Sequence, residues 1–169
     1  MVLRSSKLLI ILITLLINGC GIYTFRGRTP PEGIKSIAIP MFNDESGFSE
    51  AGLKENFTES LKKKVIDDNT YILADRNVAD GIILGTILSV RDEPLVISGN
   101  ENVTKRKIVI NVKIRFENLK NQRLISETNY ENWGEYDSSG SGFSNRQNGI
   151  LIAMEKICED IIINITSNW

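Results

Sequence analysis

Histidine is missing altogether from these 169 residues. The side chain that titrates nearest neutral pH, and that most often serves as general base or metal ligand, is therefore unavailable, and no Cys/His cluster can hold zinc. Carboxylate chemistry alone would remain, but no motif for it is present, so the sequence offers no catalytic residues, no metal ligands and no cofactor site. A basic excess is lacking too: 20 Lys and Arg stand against 21 Asp and Glu. That balance excludes a general nucleic-acid binder, which needs a positive surface. Long apolar runs are also scarce. The longest uncharged one, Leu8 to Ile17, falls well short of the roughly 20 residues a membrane-spanning helix requires.

What is present begins at that short run. Arg4 and Lys7 precede it and Ile17-Asn18-Gly19-Cys20 follows it, which is the layout of a bacterial secretory signal ending in a lipobox. Gly19 lets a peptidase reach the bond before Cys20. The Cys20 thiol is the nucleophile that takes a diacylglyceryl group, and the new N-terminus takes an acyl chain. Residues 1–19 are thus expected to be a lipoprotein signal peptide and Cys20 the lipid attachment site, with no other cofactor. Gly21 in place of Asp after the cysteine favours sorting to the outer membrane, facing the periplasm. Cleavage removes two positive charges and leaves residues 20–169, the size of one domain. With Cys20 acylated, Cys158 has no intrachain partner. Its expected role is a small buried hydrophobe, with an intermolecular bridge as the alternative.

Residues 20–33 read as a lipidated terminus and tether, stiffened by Pro30 and Pro31, and residues 34–169 as a single domain. Ile34 to Pro40 alternates, with Ile37 and Ile39 opposite Ser36 and Ala38, and predicts a first strand. Ser49 to Ile66 has the helical period, with Leu53, Phe57, Leu61 and Val65 on one stripe. Ser49 is the expected N-cap, Phe48 and Leu53 the expected staple, and Lys62, Lys63 and Lys64 the cations near the helix end, with contact to anionic lipid as the alternative role of the lysine run. Tyr71 to Asp75 is a short strand. Ile82 to Val90 is a strand covered on both faces, with Ile82, Leu84, Leu88 and Val90 as its apolar set, and it stops at Glu93-Pro94.

Ile108 to Phe116 is the clearest segment: Ile108, Ile110, Val112, Ile114 and Phe116 face one way, and Asn111, Lys113, Arg115 and Glu117 the other. Asn118 to Asn121 turns the chain, and Leu124 to Trp133 returns as a strand. Asp137 to Gly142 is a loop without the Gly-Lys-Ser/Thr of a phosphate cradle. A final helix from Arg146 to Ile165 carries Ile150, Met154, Ile157, Ile161 and Ile165, widened by Leu151, Cys158 and Ile162, and Trp169 is a packing anchor. The expected fold is α+β, in the order β-α-β-β-β-β-α, with two helices on one face of a mostly antiparallel sheet of four to five strands. The other face stays wet. Lys113 and Arg115 lie on it, and together with Lys105, Arg106 and Lys107 at the start of the long strand they are the candidate contacts for an anionic lipid. The plainer reading is a solvated face and a charged strand edge.

The start CGIYTFRG, the Pro-Pro-Glu-Gly tether, KSIAIPMFND, ADGIILGTI and the ending ICEDIIINITSNW together resemble the LptE family, in its Bacteroidetes-type branch. The resemblance implies a two-helix α/β sandwich that plugs and stabilises the LptD β-barrel and assists lipopolysaccharide delivery to the outer leaflet, without catalysis. Only Cys20 carries over from the family as a site residue. The alternative is a lipoprotein regulator of an envelope enzyme such as a peptidoglycan synthase, which usually hangs on a long tether. Here only Gly21 to Gly33 separates Cys20 from the first strand.

Overall fold

The computed structural model describes residue 31, residues 33–95, residues 105–138 and residues 142–167. The expected signal peptide, Cys20, nearly all of the expected tether, part of the Asp137–Gly142 loop, and Trp169 lie outside the described residues. The elements follow as β1 (Ser36–Ala38), β2 (Asn43–Asp44), α1 (Leu53–Asp68), β3 (Ile72–Leu73), β4 (Gly81–Pro94), β5 (Lys105–Asn118), β6 (Arg123–Asp137) and α2 (Gly142–Ser167). The sheet order is β3-β1-β4-β5-β6, with β2 pairing β4 beyond the end of β1.

The sheet is mixed. β4, β5 and β6 form the expected antiparallel meander, but β1 runs parallel to both β3 and β4. The parallel part follows from connectivity: α1 joins β1 to β3 as a crossover, and a crossover returns the chain in its starting direction. β1 and β2 are in effect one interrupted strand along β4, meeting it at Gly81–Ile82 and again at Thr86–Ile87. Pro40 breaks the ladder between them, and Phe42 turns its ring into the core across Gly85, where a Cβ would collide with that ring. Phe42 also stacks on Phe57 at 5.5 Å between centroids. Its backbone N–H donates to the buried Thr58 Oγ1, which in turn donates to Lys54 O.

Both helices lie on one sheet face and run in the same direction, as Ser60 meets Met154 and Lys64 meets Glu159. Between helices and sheet sits the main core, including Ile37, Leu53, Phe57, Leu61, Val65, Ile83, Ile87, the even residues Ile108 to Phe116, and Met154, Ile157, Cys158 and Ile161. A second cluster on the opposite sheet face joins Ala38, Ala79 and Ile82, with Leu84 and Leu119 packed on it. Ala38 is therefore buried as well, and the first strand has two covered sides.

Several local expectations are corrected. α1 starts at Leu53 behind Gly52, a left-handed residue (φ 76°) without a side-chain cap. Ser49 does not cap it, because the segment before the helix is drawn across to α2 by the Glu50–Arg146 ion pair at 2.9 Å. Leu53 thus opens the helix and cannot be the fourth-position partner of a staple, and Phe48 packs under the Arg146 guanidinium instead. The helix runs on to Asp68 and its last turn holds no basic residue. Lys62 pairs with Glu59, while Lys64 bridges to Glu155 and Glu159 on α2. On β4 the core set is Ile83, Gly85 and Ile87, then Val90 after a bulge between Ile87 and Ser89. That extra residue switches the alternation, so the even positions do not form one apolar face. Leu151 is half exposed and outside the α2 stripe.

Candidate functional surface

The three long strands present one broad face away from the helices. Val109, buried at 4 % exposure, lies on it at the centre, ringed by polar side chains. Arg91 Nε lies 3.0 Å from Glu93 and its Nη2 3.3 Å from Glu131, across the intervening β5. Lys107 reaches Glu93 at 3.4 Å. Arg115 sits between Glu117 at 2.8 Å and Glu127 at 3.3 Å. The Arg91 hydrogen bond, helped by Lys107, holds the Glu93 carboxyl below its ordinary range. Arg91–Glu93 and Arg115–Glu117 run along a single strand and the others reach across strands; all are at least partly exposed and individually weak.

Lys105, Lys107, Lys113 and Arg115 share this face by strand alternation. Arg106 does not. It turns to the helix side, where its Nε meets Asp92 at 2.8 Å and Tyr136 Oη at 3.1 Å. Burial, with the hydrogen bond to Asp92, raises the Tyr136 phenol. Lys107 and Arg115 are already neutralised by carboxylates, and among the described residues Lys113 makes no ion pair. The structure thus separates the five candidate cations into a half-buried pair, a mixed-charge network, and two lysines, Lys105 and Lys113, that make no ion pair among the described residues. Lys105 borders a cleft of about 370 Å³ with Glu135, Asp137 and Asn145, where acidic and amide groups surround it.

Two features were not visible in the sequence. Trp133, on the outer face of β6, has the Lys156 ammonium 4.6 Å and the Lys107 ammonium 5.9 Å from its ring centroid. Lys156 belongs to α2 and reaches around the sheet edge, donating also to Trp133 O at 2.9 Å. Such cation–π contacts stabilise by about 0.5–1 kcal/mol at exposed sites. The second is Asp80. Its carboxylate accepts from the Lys35 and Ser36 backbone N–H groups and from Ser36 Oγ, and meets Lys120 Nζ at 2.6 Å. Lys120, then those backbone bonds, hold the Asp80 carboxyl far below the ordinary range. This one residue ties the start of β1 to the start of β4 and the β5–β6 turn.

Among the described residues no group of three or more Cys, Asp or Glu is placed to hold a metal ion, and no helix is long and apolar enough to cross a membrane. A cleft of about 450 Å³ opens between Pro40, Lys62, Leu73 and Arg76 at the β3 edge. The surface offers recognition by charge, aromatic faces and backbone edges.

A family model described as LptE, lipopolysaccharide-assembly, matches residues 34–165. A search of the curated proteins finds none that matches. Among solved structures the chain is similar to protein CT253 from Chlamydia trachomatis, with 12% identity, TM-score 0.57, and 78% of this chain and 95% of that one covered. It is also similar to a minor lipoprotein from Acinetobacter baumannii, with 10% identity, TM-score 0.53, and 78% and 92% covered. PelC from Paraburkholderia phytofirmans, crystallised as a dodecamer, has 9% identity, TM-score 0.51, and 83% and 96% covered. At these identities the likeness shows the fold alone: two helices on one side of an open mixed sheet.

Proposed function

The chain belongs to the LptE lipopolysaccharide-assembly family, and from that premise we propose that it is the lipid-anchored subunit of an outer-membrane lipopolysaccharide translocon. In this reading it plugs and stabilises an LptD-type β-barrel and assists delivery of lipopolysaccharide to the outer leaflet. It performs no chemical step. The observation that carries the reading is the match over residues 34–165, which takes in every described strand and helix but for the last residues of α2.

Physical features support it. Acyl chains on Cys20 would hold the domain at the membrane, each buried CH₂ contributing about 0.8 kcal/mol, and more than one chain is needed for stable anchoring. β1 begins at Ser36, so the tether spans at most roughly 3.3–3.6 Å per residue, and the domain stays beside its own bilayer. A regulator of a peptidoglycan synthase would need to cross the periplasm. The paired charges of the outer sheet face suit the polar interior of a barrel, which is water-filled or closed by an inserted domain.

The test is affinity purification of the tagged, full chain from detergent-solubilised outer membranes, followed by mass spectrometry. Stoichiometric recovery of one large β-barrel that survives high salt is the expected result. Recovery of a peptidoglycan synthase, or of no barrel at all, overturns the translocon reading. Palmitate labelling of the same preparation, lost in Cys20→Ala, tests the anchor separately.

A further inference from the structure

β6 is the long lateral edge of the sheet; at the opposite side the sheet ends in the two-residue β3. Long flat edges are ordinarily protected by Pro, Lys, bulges or covering elements. One half of β6 is protected in this way by α2: Lys156 Nζ caps Trp133 O and Asn145 Nδ2 caps Asp137 O. Asn132 Oδ1 accepts from the Trp133 N–H. The other half, from Ser126 to Glu131 beyond a bulge at Ile125, has no such cover among the described residues. Lys105 O accepts from Leu95 N just past the end of β4, so by antiparallel alternation the even residues of β5 bond to β6, and from Ser126 onward the odd residues of β6 point their N–H and C=O groups outward. For Glu127, Asn129 and Glu131 these groups have no partner among the described residues, and all three residues are exposed.

We propose that the β6 edge from Ser126 to Glu131, past the bulge at Ile125, pairs with an extended segment of a different polypeptide, one that carries basic side chains at alternate positions. Charge selects the occupant. Glu127, Glu131 and Glu135 line the outer face of β6, and the strand has no Lys or Arg between Leu124 and Asp137. Glu127 and Glu131 each share their arginine, Arg115 and Arg91, with a second carboxylate, so the face keeps an excess of negative charge. A second copy paired antiparallel over this stretch would bring no cation to that face, only further carboxylates beside Asn129 and Trp133, and like charges across strands are destabilising. A strand with lysines or arginines there meets the glutamates while its backbone fills the open donors and acceptors, the usual division between affinity and specificity in strand addition. The inference is independent of whether the partner is a barrel.

The experiment is amide hydrogen exchange on the full, purified chain in detergent, with a synthetic nonapeptide alternating lysine and valine. A control peptide has glutamate at each lysine. The expected result is at least tenfold slower exchange at Glu127, Asn129 and Glu131 with the lysine peptide only. Asn129→Pro, which removes an outward N–H without touching the β5 ladder, should abolish that protection, and Asn129→Ala should keep it. No change at these amides with wild-type protein, or equal protection by the glutamate peptide, overturns the proposal without recourse to a variant. So does protection that rises with the protein's own concentration in the absence of peptide.

Discussion

Gly134 on β6 and Gly149 on α2 meet backbone to backbone. A Cβ built on Gly134 would lie 2.9 Å from Ala153 N and nearer still to the Gly149 carbonyl oxygen, and one on Gly149 would lie 3.2 Å from the Tyr136 ring. This contact sets how closely α2 lies beneath the edge strand, and therefore how Lys156 and Asn145 reach around to cap it. Gly134→Ala should destabilise the domain by roughly 2–4 kcal/mol, because backbone rather than a pliable side chain must move. Gly142→Ala, where a Cβ has open space, should change stability by about 0.5 kcal/mol or less. Urea unfolding of both variants checks the pair.

A similar argument governs Gly85 and Phe42, with a different remedy. Gly85→Ala forces the Phe42 ring out of its place between β4 and Phe57, an overpacking cost of about 1–3 kcal/mol. Here a side chain is the obstacle, so a smaller one relieves it. The double variant Gly85→Ala, Phe42→Leu should be more stable than the two single losses predict, with a coupling of about 1 kcal/mol or more. Additive losses in a double-mutant cycle would show that the ring does not sit where the structure has it.

Asp80 makes the domain acid-sensitive in a defined direction. Its folded carboxyl titrates well below its unfolded value of about 3.9, owing first to Lys120 and then to the backbone bonds from Lys35 and Ser36. Stability from this residue is present above that unfolded value and is lost as pH falls below it. Asp80→Asn should cost about 1–3 kcal/mol at pH 7, the range for hydrogen bonds to a charged group. The gap to wild type should narrow in urea titrations between pH 5 and pH 3.

The Cys158 thiol is fully buried, and burial pushes its pKa up to about 12. An aromatic disulfide reagent should therefore leave the folded protein unmodified at pH 8, since the thiolate is the reactive form. In urea the mature chain should titrate one thiol, if Cys20 is acylated as proposed. A second thiol would show an unmodified Cys20.

Lys64 lies between Glu155 at 3.3 Å and Glu159 at 2.7 Å, all partly exposed. Lys64→Met should lower stability by less than about 1 kcal/mol, an effect that salt weakens further. A larger loss in low-salt calorimetry would show that this bridge, rather than the apolar seam, joins the parallel helices.

Period and punctuation in the sequence determined most of the architecture. The five alternating apolar residues of Ile108 to Phe116 are all buried, and so are Leu53, Phe57, Leu61 and Val65, because a periodic stripe can be removed from water in only one way. The hairpin at Asn118 was likewise legible in its own chemistry, since Asn118 Oδ1 accepts from Lys120 N and Asn121 N. Local pattern, however, carries no information about which distant segment supplies a partner. Parallel pairing of β1 with β3 and β4, the bulge that reverses β4, and the attraction of Glu50 to Arg146 that leaves Ser49 without a capping role were all decided by tertiary contacts. The same holds for the proposed surface: five basic residues close in sequence became a half-buried ion pair, a neutralised network and two separate lysines. Charge is written residue by residue, but its neutralisation depends on which carboxylates the neighbouring strands bring alongside.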